Sequence, residues 1–290
     1  YIDLAALGTI ADVAALTGEN RRIVSTGLRY LSRSKWPGIQ ALKQVANLDK
    51  PSVTVRDVGF SIAPRLNAAG RLGHAKMGVD LLLSETLPKA MVLAVHLQQL
   101  NESRQAIGTA IMHEATQAVG AQVGPVVVLD SDTWHAGVIG IIASRLVEKY
   151  GVPAVLIAVQ DGLGRGSART SGHVNIYELL KTWRPFFKTF GGHKEAAGFS
   201  ILPDQIEPFK CALNLAAQEF VKPEDLVTVV SLDGVLGMDD MTLGMIHELG
   251  ALGPFGQGNP IPAFYSRELR VLEAKLVGNG QHIKVTFTDR

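Results

Sequence analysis

Residues 164–169, Gly164-Arg165-Gly166-Ser167-Ala168-Arg169, gather two glycines, a hydroxyl and two guanidiniums within six positions. Read as a loop, the glycines expose backbone N–H groups while Ser167, Arg165 and Arg169 add neutral and charge-assisted donors, which suits a phosphate. A turn beside a strand with solvated arginines fits the same residues. In Phe190-Gly191-Gly192-His193-Lys194-Glu195-Ala196-Ala197-Gly198, paired glycines allow a ligand to approach the backbone and His193 can donate to a phosphate oxygen. The alternative is a Gly-Gly hairpin beside a structural histidine. Asp130-Ser131-Asp132-Thr133-Trp134-His135 closes an apolar run and opens a helical one, where α/β proteins place ligands. Two carboxylates and an imidazole there could hold a hard metal. Alternatively, Asp132 or Thr133 caps the helix with Trp134 as its staple. His135 stays a binding candidate in the first helical turn.

In Pro64-Arg65-Leu66-Asn67-Ala68-Ala69-Gly70-Arg71, two arginines six apart are placed to meet a backbone of phosphates. Gly8 and Gly18 mark helix ends or bends, so Asp12 lies near an element end from which a side chain can reach a site. A lone aspartate there is otherwise a cap.

The positioning elements are legible as periodicities. Residues 1–50 carry helical spacing, and Pro88 to about Val119 forms one long helix of the kind that bridges domains. Val126–Leu129 reads as a buried strand, about His135 to Tyr150 as a helix stopped by Gly151 and Pro153, and Ala154–Val159 as a second strand. That is a β-α-β unit. Asn175 with Glu178, and Asp204 with Glu207, resemble capping boxes around the strand residues Phe199–Ile201. Segments near 227–235, 269–277 and 283–287 read as a small, incomplete β-barrel around the Gly/Pro-rich run 250–262.

The 290 residues suggest about two domains. Hydrophobic residues at 47% and charged ones at 19% exclude wholesale disorder. The net charge of +1 conceals a basic N-terminal quarter that could meet phosphates. One cysteine, Cys211, permits no internal disulfide and no zinc cluster. No apolar run reaches the ~18 residues of a membrane span, and a cytoplasmic location is expected. Both ends read as excised from something longer, since Tyr1 opens directly in an apolar segment and the last residues alternate like a strand that stops at Arg290. Composition and spacing reach a phosphate-binding protein with an α/β domain.

In order along the chain, these segments resemble the RecJ branch of the DHH phosphoesterase superfamily. Leu4 to Asp12 is similar to the fourth motif of that family, Pro64 to Arg71 to its arginine-asparagine segment at the nucleic-acid cleft, and Trp134 to Gly140 to the opening of the DHH-associated domain, with Ala136 where proline is usual. Gly166 to Arg169 and Gly191 to Gly198 resemble its two later motifs, and Leu252 to Pro260 the entry to its OB-fold. The resemblance implies an α/β fold: residues 1–87 as the C-terminal part of a DHH domain, 88–120 as a connecting helix, 121–222 as the DHH-associated domain and 223–290 as an OB-fold.

It also implies a 5′-to-3′ single-stranded-DNA exonuclease of DNA repair and recombination, working as a monomer with Mn²⁺ or Mg²⁺. Asp12 would be a catalytic metal ligand, and Arg65, Asn67 and Arg71 would hold the strand. Arg165, Ser167, Arg169, Gly191, Gly192 and His193 would hold the 5′-terminal phosphate, and His135 would shape that pocket or reach the metal. The Asp-His-His triplet of the family does not occur in these residues. One aspartate cannot hold two ions ~3.5–4 Å apart, so strand binding with negligible hydrolysis is expected of this chain alone. A phosphodiesterase of short oligonucleotides or cyclic dinucleotides, and a non-catalytic module stacking bases on Phe264, Tyr265 and Phe287, are the alternatives.

Overall fold

The computed structural model describes residues 1–172, 174–227 and 229–288. Helices α1 (Ile2–Ala11), α2 (Gly18–Ser32), α3 (Pro37–Val45) and α4 (Val55–Asp57) are followed by a π-helical stretch, Val58–Ile62. Next come α5 (Ala63–Leu72), α6 (Lys76–Leu82) and the 33-residue α7 (Leu87–Val119). Then β1 (Val127–Ser131), α8 (Ala136–Tyr150), β2 (Ala154–Gln160), β3 (Leu163–Arg169), α9 (Ile176–Lys181), β4 (Phe187–His193), β5 (Ala196–Ile201) and α10 (Ile206–Phe220) build an α/β layer structure. The chain finishes with β6 (Gly234–Val235), α11 (Leu243–Ala251), β7 (Phe264–Tyr265), β8 (Arg270–Val277) and β9 (His282–Thr288).

These elements pack as two compact units. One joins residues 1–35, 47–63 and 230–290; the other joins 36–46 and 64–229. In the first, α1 and α2 cross at Gly27, where any Cβ would overlap Ala6 and the Ile2 carbonyl. The run 250–260 is fastened to the α1–α2 connection: Leu16 N donates to Gln257 O at 2.6 Å, and Arg21 Nη2 donates to Leu252 O at 2.5 Å. Among the described residues the late strands make two separate two-stranded ladders, β6–β7 and β8–β9, rather than a closed barrel.

A capping box opens α4. Thr54 Oγ1 accepts from Asp57 N at 3.2 Å, Asp57 Oδ2 accepts from Thr54 N at 2.7 Å, and Lys50 Nζ lies 2.6 Å from the same oxygen. Burial pushes the Asp57 pKa up, but hydrogen bonds from Lys50 and Thr54 outweigh it and hold the carboxyl below its ordinary value. The ionised form is therefore the one that folding favours. Its contribution is present above the ordinary carboxylate pKa and disappears as pH falls through the depressed one. Asp57→Asn should cost about 1 kcal/mol at neutral pH. In urea unfolding followed across acid pH, that gap should close as the wild-type carboxylate protonates; a gap independent of pH would remove Asp57 from this role.

In the second unit, a five-stranded sheet has the order β1-β2-β3-β5-β4. β1 and β2 are parallel and joined through α8; the other neighbours are antiparallel. Helix α8 buries Val138, Ile139, Ile142 and Leu146 on one face of the sheet, against Ala154, Leu156 and Ala158. On the other face, α9 and α10 enclose Phe187, Phe199 and Phe209, and the Phe187 and Phe199 rings stack 4.3 Å apart.

Several local expectations are corrected. Gly8 lies inside α1 and does not end it, because Ala6, Leu7 and Ile10 bury a continuous face that outweighs the modest glycine penalty. The N-cap of α8 is His135, whose Nδ1 accepts from Gly137 N at 3.0 Å, rather than Asp132 or Thr133. Trp134 is indeed buried against Val138 and Ile139, and its Nε1 donates to Glu114 at 2.7 Å. Asp204 sits in a 3-10 turn and caps nothing; α10 starts two residues later, and Glu207 pairs with Lys210. The expected strand at 227–235 shrinks to Gly234–Val235, and α11 lies between it and the Gly/Pro-rich run, reaching that run's first residues. Thr228 and the terminal Asp289 and Arg290 lie outside the described residues.

Candidate phosphate-binding face

Residues 164–169 are a strand and not a loop. The reason is the Asp161-Gly162 pair, both at positive φ (51° and 72°), which turns β2 straight into β3. β3 then pairs on both sides, so its N–H groups are committed to the ladders and the glycines serve packing instead. A Cβ on Gly166 would lie inside the Phe199 ring, and one on Gly164 would meet Ile201 Cγ2 at 2.9 Å.

Alternation along β3 sorts the functional side chains. Register pairs Arg165 with Ser200 and then Thr189, Ser167 with Gly198 and then Gly191, and Arg169 with Ala196 and then His193. Paired residues share a face, so Arg165, Ser167, Arg169, Gly191 and His193 stand together on the face that carries α8. Gly192 belongs to the opposite row, with Ala168 and Ala197, and a side chain on it would collide with the Ala196 carbonyl. The turn between β4 and β5 is Lys194-Glu195 rather than the glycine pair. Gly191 has nothing within 4 Å of the place a Cβ would take, and Gly198 only the Gly166 carbonyl at 3.8 Å. The two glycines make a bare backbone floor between Ser167 and His193.

Arg169 Nη1 donates to Ser167 Oγ at 2.9 Å and to Ala168 O at 2.7 Å. Gly140 of α8 makes room for this pair, since a Cβ there would lie 3.0 Å from both Arg169 Nη2 and Ser167 Oγ. Arg71, at the end of α5, donates from Nη1 to Gly137 O at 3.1 Å, and any side chain on Gly137 would overlap the Arg71 backbone. A cavity of about 690 Å³ opens here, lined by Arg71, His135, Gly137, Arg165 and Ser167, with Asp161 at its edge. Because His135 Nδ1 accepts the Gly137 N–H, neutral His135 carries its proton on Nε2 and can donate. His193 is arranged likewise, its Nδ1 accepting from Glu195 N at 3.4 Å. The positive end of the α8 dipole adjoins the same cavity.

Burial lowers the pKa of Arg169, and the charge of Arg71 lowers it further. Burial does the same for Arg104, with Arg71 and Arg145 adding to it. Among the described residues none of Arg71, Arg104, Arg145 and Arg169 lies within 4.0 Å of a carboxylate.

The other expected residues fall elsewhere. Asn67 and Arg71, four apart in α5, share a helical face. Arg65 points away from both, donating to Val45 O at 3.4 Å and sensing Glu102. Asp130 is held by Lys210 at 2.7 Å, which disposes of Asp130, Asp132 and His135 as a metal site. Asp12 is the exposed C-cap of α1, followed by Val13 in the left-handed region (φ 56°), a strained position for a β-branched residue. Among the described residues no three His, Cys, Asp or Glu side chains come together in a way that could hold a metal ion. This chain therefore does not fit a divalent-metal centre on its own residues. Gly140, Arg104 and Arg145 were not singled out from sequence; the i, i+3 spacing of Gly137 and Gly140 was the one available sign.

This sheet face of the α/β domain combines a serine, arginines, two histidines whose Nδ1 accepts a backbone N–H, and bare glycine backbone, a donor set that suits a phosphoester. Comparison with known proteins is specific. Residues 122–219 match the DHHA1 domain and residues 232–290 the RecJ OB domain. The chain is 36% identical over 291 residues to the single-stranded-DNA-specific exonuclease RecJ of Bacillus subtilis, covering 99% of this chain and 37% of that protein. It is 38% identical over 296 residues to RecJ of Dickeya dadantii, covering 98% of this chain and 51% of that one. The crystal structure of Thermus thermophilus RecJ in complex with Mn²⁺ superposes with a TM-score of 0.89 at 35% identity, over 99% of this chain and 42% of that chain. The chain carries a DHHA1 domain and a RecJ OB domain and is similar over nearly its whole length to proteins of the RecJ family. It spans about half or less of the length of these relatives.

Proposed function

We propose that this chain is the strand-holding part of a 5′-to-3′ single-stranded-DNA exonuclease of repair and recombination. The observation that carries the reading is the open row of Arg165, Ser167, Arg169 and His193 over the Gly191–Gly198 floor. In this reading Ser167 and Arg169 grip the 5′-terminal phosphate, His193 donates from Nε2, and Gly191 lets the phosphate sit against the backbone while Gly192 supports it from below. Arg71, Asn67 and His135 carry the strand along the adjoining cavity, and Arg65 fixes the base of α5. Fixing the phosphate end sets which bond is presented for cleavage. Residues 1–87 belong to a DHH domain, 88–120 to its connecting helix, 121–222 to the DHH-associated domain and 223–290 to the OB part. Among the described residues no helix is long and apolar enough to cross a membrane, and the reading carries a cytoplasmic monomer.

The likeness to relatives solved with Mg²⁺ and Mn²⁺ supports divalent-metal use, with Asp12 as one ligand and the remainder supplied from beyond these residues. No hydrolytic step is assigned to this chain. Arg267 donates from Nε and Nη2 to the Tyr265 hydroxyl at 2.9 and 2.6 Å and holds that ring in place, and base stacking in this reading draws on Phe264, Tyr265 and Phe287.

The test is incubation of the chain with 5′-labelled single-stranded DNA and Mn²⁺, following filter retention and degradation together. Retention without degradation is expected. Asp12→Ala should leave retention within about twofold of wild type. Degradation by this chain alone would overturn the assignment of Asp12 as a ligand without partners, and no retention would overturn the strand-holding role.

A further inference from the structure

A second pocket, of about 290 Å³, lies between α7 and α8. Its lining includes Arg104, Gln105, Gly108 and Thr109 on one helix and Ile142 and Arg145 on the other. It lies beside a different stripe of α8 from the 690 Å³ cavity: Val138, Ile141, Ile142 and Arg145 here, Ala136, Gly137 and Ile139 there. Arg71 interacts electrostatically with both Arg104 and Arg169 and so links the two cavities.

Arg104 is built in rather than dangling. Its Nη2 donates to Oδ1 of Asn101 at 3.0 Å, and Asn101 is itself only 3% exposed. Its Nε is buried and has no hydrogen-bond partner among the described residues. The carboxylates of α7 are engaged elsewhere: Glu102 accepts from Gln98 Nε2 at 2.5 Å, and Glu114 accepts from Trp134 Nε1 at 2.7 Å. An oriented guanidinium with an unmet buried donor, facing a second arginine across a polar pocket, is an arrangement that an oxyanion completes.

We propose that Arg104 and Arg145, with Gln105 and Thr109, form a second oxyanion subsite for an internal backbone phosphate of the single strand whose 5′ end rests on Ser167 and Arg169. The inference rests on the strand-holding reading above and extends it from one phosphate to two. The 5′ pocket reads the end; this groove reads strand continuity and contributes only when the ligand has more than one nucleotide. Arg71 between them repels both neighbours in the free protein and is neutralised together with them when a strand is bound.

The test uses the whole chain with two probes, a 5′-phosphorylated oligothymidylate of about twelve nucleotides and thymidine 5′-monophosphate. Affinity is measured by anisotropy or competition across roughly 50 to 200 mM salt. Arg145→Gln, at an exposed position that leaves the core intact, should weaken the oligonucleotide about tenfold at low salt and flatten the logarithmic salt slope by ~0.7, one phosphate of a single strand. Arg104→Gln should do the same. Mononucleotide affinity should not change, and Arg145→Lys should restore the slope. An unchanged slope in Arg145→Gln while the wild type binds the strand would overturn the subsite alone. Equal losses on both probes would place Arg145 in the 5′ pocket and also overturn it. A wild-type chain that binds neither probe would overturn the subsite and the strand-holding reading together.

Discussion

Arg169→Ala is expected to weaken binding of a 5′-phosphorylated single strand by ~10- to 100-fold while leaving a 5′-hydroxyl strand of the same length within a few-fold of wild type. A hydrogen bond to a charged group contributes about 1.5–3 kcal/mol, and Arg169 is oriented for one by its contacts with Ser167 Oγ and the Ala168 carbonyl. Stability should move the other way. Arg169 is partly buried beside Arg71 with no carboxylate within ion-pair distance among the described residues, and both effects depress its pKa. Its charge is therefore a cost in the ligand-free fold, and removing it should leave the melting temperature unchanged or slightly higher, a trade of stability for function. Inorganic phosphate should raise the melting temperature of the wild type by linkage and fail to do so in the variant. Equal losses on both strand ends would show that Arg169 holds the backbone generally rather than the 5′ terminus.

The residues of this site were legible in sequence, but the structure that holds them was misread in an instructive way. Gly164 to Arg169 looks like a loop because glycines and arginines are poor strand formers. It is a strand because the Asp161-Gly162 turn delivers it antiparallel to the apolar β2, and because its glycines lie under Phe199 and Ile201. The Asp-Gly pair was the missed sign. The α7 helix, the β-α-β unit and the Gly151 stop were recoverable because each rests on local periodicity or a left-handed cap. The N-cap of α8 was not, since His135 caps through a ring nitrogen, a role that Asp132 or Thr133 would ordinarily fill with a side-chain oxygen. The separation of Arg65 from Arg71 follows from helix geometry once α5 is known to be helical. The cluster of Arg71, Arg104, Arg145 and Arg169 draws on four elements, and no spacing in the sequence announces it.

Gly166→Val tests the two readings of the glycine-rich strand against each other. If Gly166 exposes its N–H to a ligand, as a loop reading has it, Val should impair phosphate binding and spare stability. If Gly166 is where the Phe199 ring lies, every Cβ overlaps that ring. Phe199 must then leave a cluster in which it stacks on Phe187 at 4.3 Å and meets Phe209 edge-on at 5.5 Å. Overpacking costs about 1–3 kcal/mol and loss of a buried aromatic about 3–5 kcal/mol, so ~3 kcal/mol is expected, or roughly 10 °C in melting temperature for a domain of this size. Shrinking the ring in Gly166→Val/Phe199→Leu should recover ~1 kcal/mol or more, because the two positions touch and their effects cannot add. Gly191→Ala is the counterpart on the open face. Its Cβ meets nothing within 4 Å, so it should leave the melting temperature alone and weaken 5′-phosphate binding by occupying the floor. If Gly166→Val melts like the wild type, or if Phe199→Leu fails to rescue it, the packing explanation of this strand is wrong and its glycines face the ligand after all.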